Sequence, residues 1–479
     1  MEATWREDDK RLPLADGKYG NGGHLGFDAG LFLCCRQAAQ KPGAVMMADK
    51  LKTSLPGTPL PPVVPPGWAS SSLTGGLVHC PYRRTTDLLQ RLAPGKMRIG
   101  FLLGAGCPLA VRVPDGTKTL PLVPDIAGLT NQVKAHLDTD GTLNGIAKTT
   151  WARVVERGFP TPTVEDVLSH VRTLKSLCGS GGIDGFSNTQ LVALDNAICQ
   201  EIRKIVSRSL PTSDTAYHAL ASWVQAIPRD RPVELFTTNY DLLLEEALEQ
   251  QRVPYFDGFV GSDSAFLDLE SMAEDDLPPR WARLWKIHGS VNWWMTGKQT
   301  IRRSRDELPG EQLLIYPSHL KYDESRQMPY YAMLDRLRVF LRSDQCVLLC
   351  CGYSFGDEHI NSYIAQGLSG NPNAACLAMI FNDRSDAPKA VALAKRYANL
   401  TVLAADGGVL GTVDRDWDSA VRDTNPAFPI AVGKDLPSSR SKAPADRNKW
   451  LLGDFASFGK FLAHQLSTRD IEQGVAGAA

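Results

Sequence analysis

Five short polar segments each close an apolar, strand-like run in this chain: Gly104-Ala105-Gly106, Thr237–Asp241, Lys286–Ser290, Gly352–Asn361 and Phe381–Asp383. Glycines directly after a strand allow close approach to a pyrophosphate and lead into a helix N-terminus, whose N–H groups suit an anion. A plain tight turn explains them equally well, and the longer GxGxxG pattern is absent. Asn239 offers a donor and acceptors that can hold a water or a ribose hydroxyl, while Asn239 or Asp241 can equally cap the helix that starts near Leu242. His288, with a glycine beside it, suits general-base work near neutral pH, although a lone histidine is more often structural. Asp357 can cap the helix running from Glu358, and Asn382-Asp383 reads as ordinary turn chemistry. Convergence of five polar strand ends on one crevice is a stronger argument than any of them alone.

Such a crevice needs strands of common direction. Residues 97–103 (MRIGFLL) lack polar alternation, as a strand covered on both faces should. Further strands are expected within 232–241, 282–288, 312–317, 345–352 and 376–382. Helical spacing runs through 163–174, 188–209, 213–226, 330–342 and 387–398. This alternation predicts an open, mostly parallel α/β sheet. Residues 1–90 are rich in Gly and Pro, with PGTPLPPVVPPGW at 56–68, and read as a flexible or loosely packed extension. Met46 or Met47 is an alternative start within it. The catalytic domain is expected over 91–432, with a mainly helical insertion at about 130–225; a linker and a closing amphipathic helix follow at 433–479.

Hydrophobic residues make up 43% of the chain and charged ones 22%, with a net charge of −1, so no basic field suggests direct nucleic-acid binding. No apolar run is long enough for a membrane span, and the acidic N-terminus is unlike a secretory leader; the expected address is the cytoplasm. The 10 cysteines include no CxxC pair, so structural zinc is not expected, and Cys346, Cys350 and Cys351 read as buried apolar residues. The acidic run Glu274-Asp275-Asp276 reads as a solvated loop, leaving no carboxylate cluster for a metal nuclease. A Walker-type phosphate loop is also missing.

Taken in order, GAG, TTNYD, IHGS, GYSFGDEHIN and FND resemble the sirtuin-like domain of bacterial anti-phage defence proteins, over roughly 96–410. The resemblance implies a Rossmann-like NAD-binding sheet with a smaller, mainly helical inserted module. It implies Asn239 and His288 as catalytic residues. Gly104, Ala105 and Gly106 would cradle the NAD phosphates, and Asp241 would bind nicotinamide or hold the pocket's shape. Gly352 and Ser354 would line the phosphate and ribose path, and Asn382 would meet the adenosine ribose. Thr238 and Ser290 complete the expected cofactor-binding set. The deacetylase branch has a GIPDFR-like segment after the glycine turn; here only LVPD at 122–125 answers to it, which carries over Asp125 alone.

The deacetylase branch also has a zinc module with two CxxC pairs, beside its acyl-lysine groove. Without it, water is the expected acceptor, giving nicotinamide and ADP-ribose with NAD as substrate and no metal. The GDFASFGKFL segment at 453–462 resembles the sirtuin-like subunits that accompany a HerA-type hexameric ATPase, which implies such a partner together with a homo-oligomer. NAD-dependent protein deacylation, ADP-ribosyl transfer and a non-catalytic NAD-binding scaffold are the competing readings.

Overall fold

The computed structural model describes residues 79–93, 95, 97–274, 276–297, 300–309, 311–314, 329–418, 428–434 and 448–476. Its centre is a nine-stranded sheet built on β1 (Arg98–Leu103). On one side of β1 lie β2 (Glu234–Thr237), β4 (Ala282–Lys286) and the edge strand β3 (Tyr255–Phe256). On the other lie β6 (Cys346–Cys351), β7 (Ala375–Met379) and β8 (Leu400–Leu403). These strands are all parallel; β9 (Gly407–Leu410) and β10 (Val413–Asp416) extend the far edge antiparallel. Setting β3 aside, the six parallel strands follow the doubly wound order 3-2-1-4-5-6, and the order reverses between β1 and β6.

The strands are apolar on both faces because both faces are covered. Every residue of β6 and of β4 is buried. On one face Phe101 packs edge-on to Trp223 of α7 (Ala216–Ala226) and against Phe458 of the closing helix α12 (Phe455–Ala476). On the other, Phe236 meets Phe340 of α9 (Tyr330–Arg342), which packs beside α10 (Glu358–Gly370). Two glycines admit these neighbours. A Cβ on Gly100 would stand 2.6 Å from the Phe340 ring, and one on Gly459 would stand 2.6 Å from the Ala216 Cα. Truncating a fully buried phenylalanine at such a layer costs about 3–5 kcal/mol.

Between β1 and β2 the chain forms α3 (Ile126–Thr139), α4 (Asn144–Glu156), α5 (Val164–Leu177), α6 (Asn188–Val206) and α7. Reciprocal capping boxes open α5 (Thr163 with Asp166), α6 (Ser187 with Gln190) and α7 (Thr215 with His218). Leu191, Leu194, Ile198 and Ile202 form the buried stripe of α6, at the spacing read from the sequence.

A smaller, antiparallel sheet is centred on β5 (Gly289–Thr296), with Glu311–Leu314 and Thr300–Arg303 on its two sides. The strand expected at 312–317 therefore pairs here and not in the parallel sheet; residues 315–317 lie outside the described residues. Of the expected N-terminal extension, residues 1–78 also lie outside; Pro81–Arg91 is helical (α1), with Leu88 fully buried. Val432–Lys434 and Asn448–Trp450 pair antiparallel, and residues 435–447 between them are not described. No described helix is long and apolar enough to cross a membrane.

Candidate active site

Register aligns the carboxyl ends of five adjacent strands. Met379 pairs with Cys351, Cys351 with Leu103, Leu103 with Thr237, and Thr237 with Lys286. The five polar segments leave the sheet from this one row, where an open α/β sheet binds ligands.

The switch point between β1 and β6 is closed by backbone. Gly104 N–H donates to Cys351 O, and Gly106 N–H to Gly352 O, each at 2.9 Å. A Cβ on Gly104 would meet Gly352 O at 2.4 Å, and one on Gly106 would meet Gly352 Cα at 2.7 Å. Gly352 itself has φ +60°, and its Cβ would lie 2.6 Å from Cys107 N. The glycines thus answer first to the packing of two turns, with two of their N–H groups already used. Ala105 between them is exposed, and the helix that follows, α2 (Gly106–Leu109), is a single turn.

Across the other border of β1, Thr238 N–H and the Thr237 hydroxyl both donate to Leu103 O, at 3.1 Å. Asn239 is buried and its Nδ2 donates to Gly104 O at 3.1 Å, so its amide is oriented by β1 and is not a helix cap. Asp241 does contact the helix it precedes, α8 (Leu243–Gln250), accepting from Leu243 N at 3.1 Å. Burial pushes the Asp241 carboxyl up to about 6, against the downward pull of Lys286. The Lys286 ammonium, fully buried, donates to Asp241 O and to Glu245 Oε1, the latter at 2.8 Å. Beside them the buried Tyr217 phenol is held well above its usual range by desolvation.

His288 stands at a corner. Ile287 N–H makes the last bond to the large sheet, on Thr237 O at 2.9 Å, while Gly289, at φ +84°, is already paired with Leu314 of the small one. Its Nε2 lies 3.1 Å from Asp357 Oδ2, and both side chains are about nine-tenths buried. Its ring centroid is 6.5 Å from that of Tyr240, whose hydroxyl donates to Glu165 of α5 at 3.3 Å. The other Asp357 oxygen caps α10, accepting from His359 N at 2.9 Å and Ile360 N at 3.3 Å.

The remaining expected residues have these places. Ser290 is fully buried, its hydroxyl 3.4 Å from Tyr240 O. Ser354 is exposed, and its hydroxyl accepts from Gly356 N at 3.2 Å. Asn382 is exposed beyond β7, its carbonyl accepting from Ala405 N at 3.0 Å. Asp125 is exposed and caps α3 through Gly128 N at 2.8 Å. Reading the sequence missed Lys286 and Glu245 as an ion pair and Asp357 as a partner of His288. The available signal was a lysine, with Arg283, inside a strand otherwise built of apolar residues, ARLWKIH. The eight described cysteines are free; Cys107, Cys199, Cys346, Cys350, Cys351 and Cys376 are buried. Among the described residues, no group of three or more His, Cys, Asp or Glu could hold a metal ion.

No curated protein matches the chain. Among solved structures, a Sir2 homologue in complex with NAD is 14% identical over 64% of this chain and 86% of that one, with a TM-score of 0.28. A Sir2 enzyme described for its mechanism and regulation is 10% identical over 61% of this chain and 84% of that one, with a TM-score of 0.29. Scores this low carry no argument about function. The stretch 233–403, which holds four of the five strand-end segments, matches the family described as SIR2-like domain.

Proposed function

We propose that the chain is an NAD⁺ glycohydrolase, releasing nicotinamide and ADP-ribose. The observation that carries this reading is the placing of Asn239 and His288, each two residues beyond a register-matched strand end, Thr237 and Lys286, on neighbouring strands. They border the level row that also bears the glycine turn at the switch point. In the reaction the C1′–N bond breaks, and its electron pair leaves with nicotinamide. Positive charge develops on the ribose C1′ and ring oxygen, so buried polar groups fixed in advance are favoured over mobile water. Asn239, held on Gly104 O, orients the nicotinamide ribose or the attacking water. His288 takes the proton as the water oxygen bonds to C1′. Asp241 shapes the nicotinamide side.

Water as acceptor is favoured over acyl-lysine by the sequence: none of the 10 cysteines forms a CxxC pair, as the zinc module beside an acyl-lysine groove would require. The biological setting proposed is NAD depletion in anti-phage defence, with activity held off at rest by oligomerisation or a HerA-type partner ATPase. That part rests on the resemblance of the motif set and of the 453–462 segment.

The test is mass-spectrometric product analysis of the purified chain with NAD⁺, alone and with its genomic-neighbour proteins. Nicotinamide and ADP-ribose should appear, and Asn239→Ala or His288→Ala should abolish both. Nicotinamide release only when an acyl-lysine peptide is present would replace the hydrolase by a deacylase. Consumption unchanged in both variants would remove the assignment.

A further inference from the structure

We infer that Asp357 is a positioning residue for His288, fixing the imidazole with its proton on Nε2 so that Nδ1 is the nitrogen that accepts the proton in the reaction. This rests on the hydrolase reading above and adds to it the partner and the atom. The carboxylate is split between two tasks. One oxygen takes two backbone N–H groups at the start of α10, at 2.9 and 3.3 Å, which fixes the carboxylate to a rigid element. The other faces His288 Nε2 at 3.1 Å across 69 residues of sequence. A carboxylate that only capped would not need burial, yet Asp357 is 8% exposed and His288 likewise 8%.

The loop carrying Asp357 is itself braced. The Tyr353 hydroxyl lies 3.1 Å from Asn361 Oδ1 and 3.3 Å from Asp357 O, and Asn361 Nδ2 donates to Phe355 O at 2.7 Å. Phe355 is fully buried in the left-handed region, φ +56°, a strained backbone held by its surroundings. The carboxylate therefore cannot swing away from the ring without unpacking the turn and the cap together.

An ionised carboxylate at Nε2 can only accept, so a neutral ring beside it carries its proton there and presents a lone pair at Nδ1. In hydrolysis the water oxygen bonds to C1′ as the C1′–N pair departs. The water proton passes to Nδ1, the resulting imidazolium is stabilised by the Asp357 carboxylate, and the proton is then lost to solvent. The titratable groups against the ring are Asp357, on the turn before α10, and Tyr240, on the loop after β2.

Two measurements test this on the full chain. The first is ¹⁵N–¹H long-range NMR of the histidine rings, with His288 assigned by the spectrum of His288→Gln. Proton on Nε2 in the neutral ring is expected; proton on Nδ1 overturns the inference whether or not the chain consumes NAD⁺. The second is the steady-state kinetics of NAD⁺ hydrolysis for Asp357→Asn, in which the amide can still cap α10. kcat is expected to fall on the order of 10²-fold with KM nearly unchanged. A kcat like the parent's, with His288→Ala inactive, would sink the positioning role while leaving the hydrolase standing. No hydrolysis by the parent would instead remove the hydrolase and, with it, the proton-transfer step.

Discussion

Gly106 and Gly352 pack backbone to backbone: Gly106 N–H donates to Gly352 O at 2.9 Å, and a Cβ on Gly352 would lie 2.9 Å from the Gly106 Cα. The place where strand order reverses, and where a dinucleotide would have to enter, is therefore shaped by two turns with no room for a side chain between them.

Gly352→Ala combines a left-handed φ of +60° with a contact of 2.6 Å to Cys107 N. The expected cost is at least about 2 kcal/mol of stability, read by chemical denaturation. Loss of NAD⁺ binding, measured by calorimetry on the fraction still folded, should accompany it, because the glycine turn of β1 must move. Parental stability would contradict the close packing.

Asp241 gives a pH dependence whose sign follows from its raised carboxyl, about 6 in the folded chain. An ordinary unfolded value is about 3.9. The folded state thus holds the proton more tightly, and this contribution is fully present below about pH 4 and lost as pH rises through about 6. Its size is on the order of 2–3 kcal/mol. Asp241→Asn, which can still accept from Leu243 N, should flatten that window and be more stable than the parent at about pH 8 while losing NAD⁺ consumption. Unfolding free energies from about pH 4.5 to 8 check this; a variant no more stable at the upper end would contradict it.

Lys286→Met removes one half of a buried pair and leaves Glu245 charged in the interior. A loss of about 3–5 kcal/mol is expected, with most of it restored in Lys286→Met/Glu245→Leu. Equilibrium unfolding of the two variants, run in parallel, measures the difference. Equal stabilities would mean that the pair is not coupled.

Much of the large sheet was legible because its inner parallel strands are apolar runs that give way to glycine or polar residues: FLLGAG, LFTTN, LLCCGY and MIFND all read this way. The unit that follows them was legible only in part. Leu400–Leu403 is a four-residue sixth parallel strand, too short to stand out from the helix before it, α11 (Pro388–Arg396). QLLIYP looks like any buried strand, and nothing local tells which of two sheets will take it. Side-chain pairing was the hardest to see. Asp357 was legible as a cap, since a cap is a local contact, but its approach to His288 depends on how far β4 and β6 stand from each other across the sheet. Lys286 and Glu245 are 41 residues apart and meet only when α8 folds back over β4.

The corner at Gly289 has a mechanical consequence. Ile287 is tied to the large sheet and Gly289 to the small one, so the imidazole hangs from one linkage between the two sheets, the passage from Phe256 to Phe259 being another. Any tilt of the smaller sheet turns that linkage, while Asp357 anchors the ring to a third body, the start of α10. The distance from Nε2 to Oδ2 would thus register a tilt of the small sheet against the start of α10.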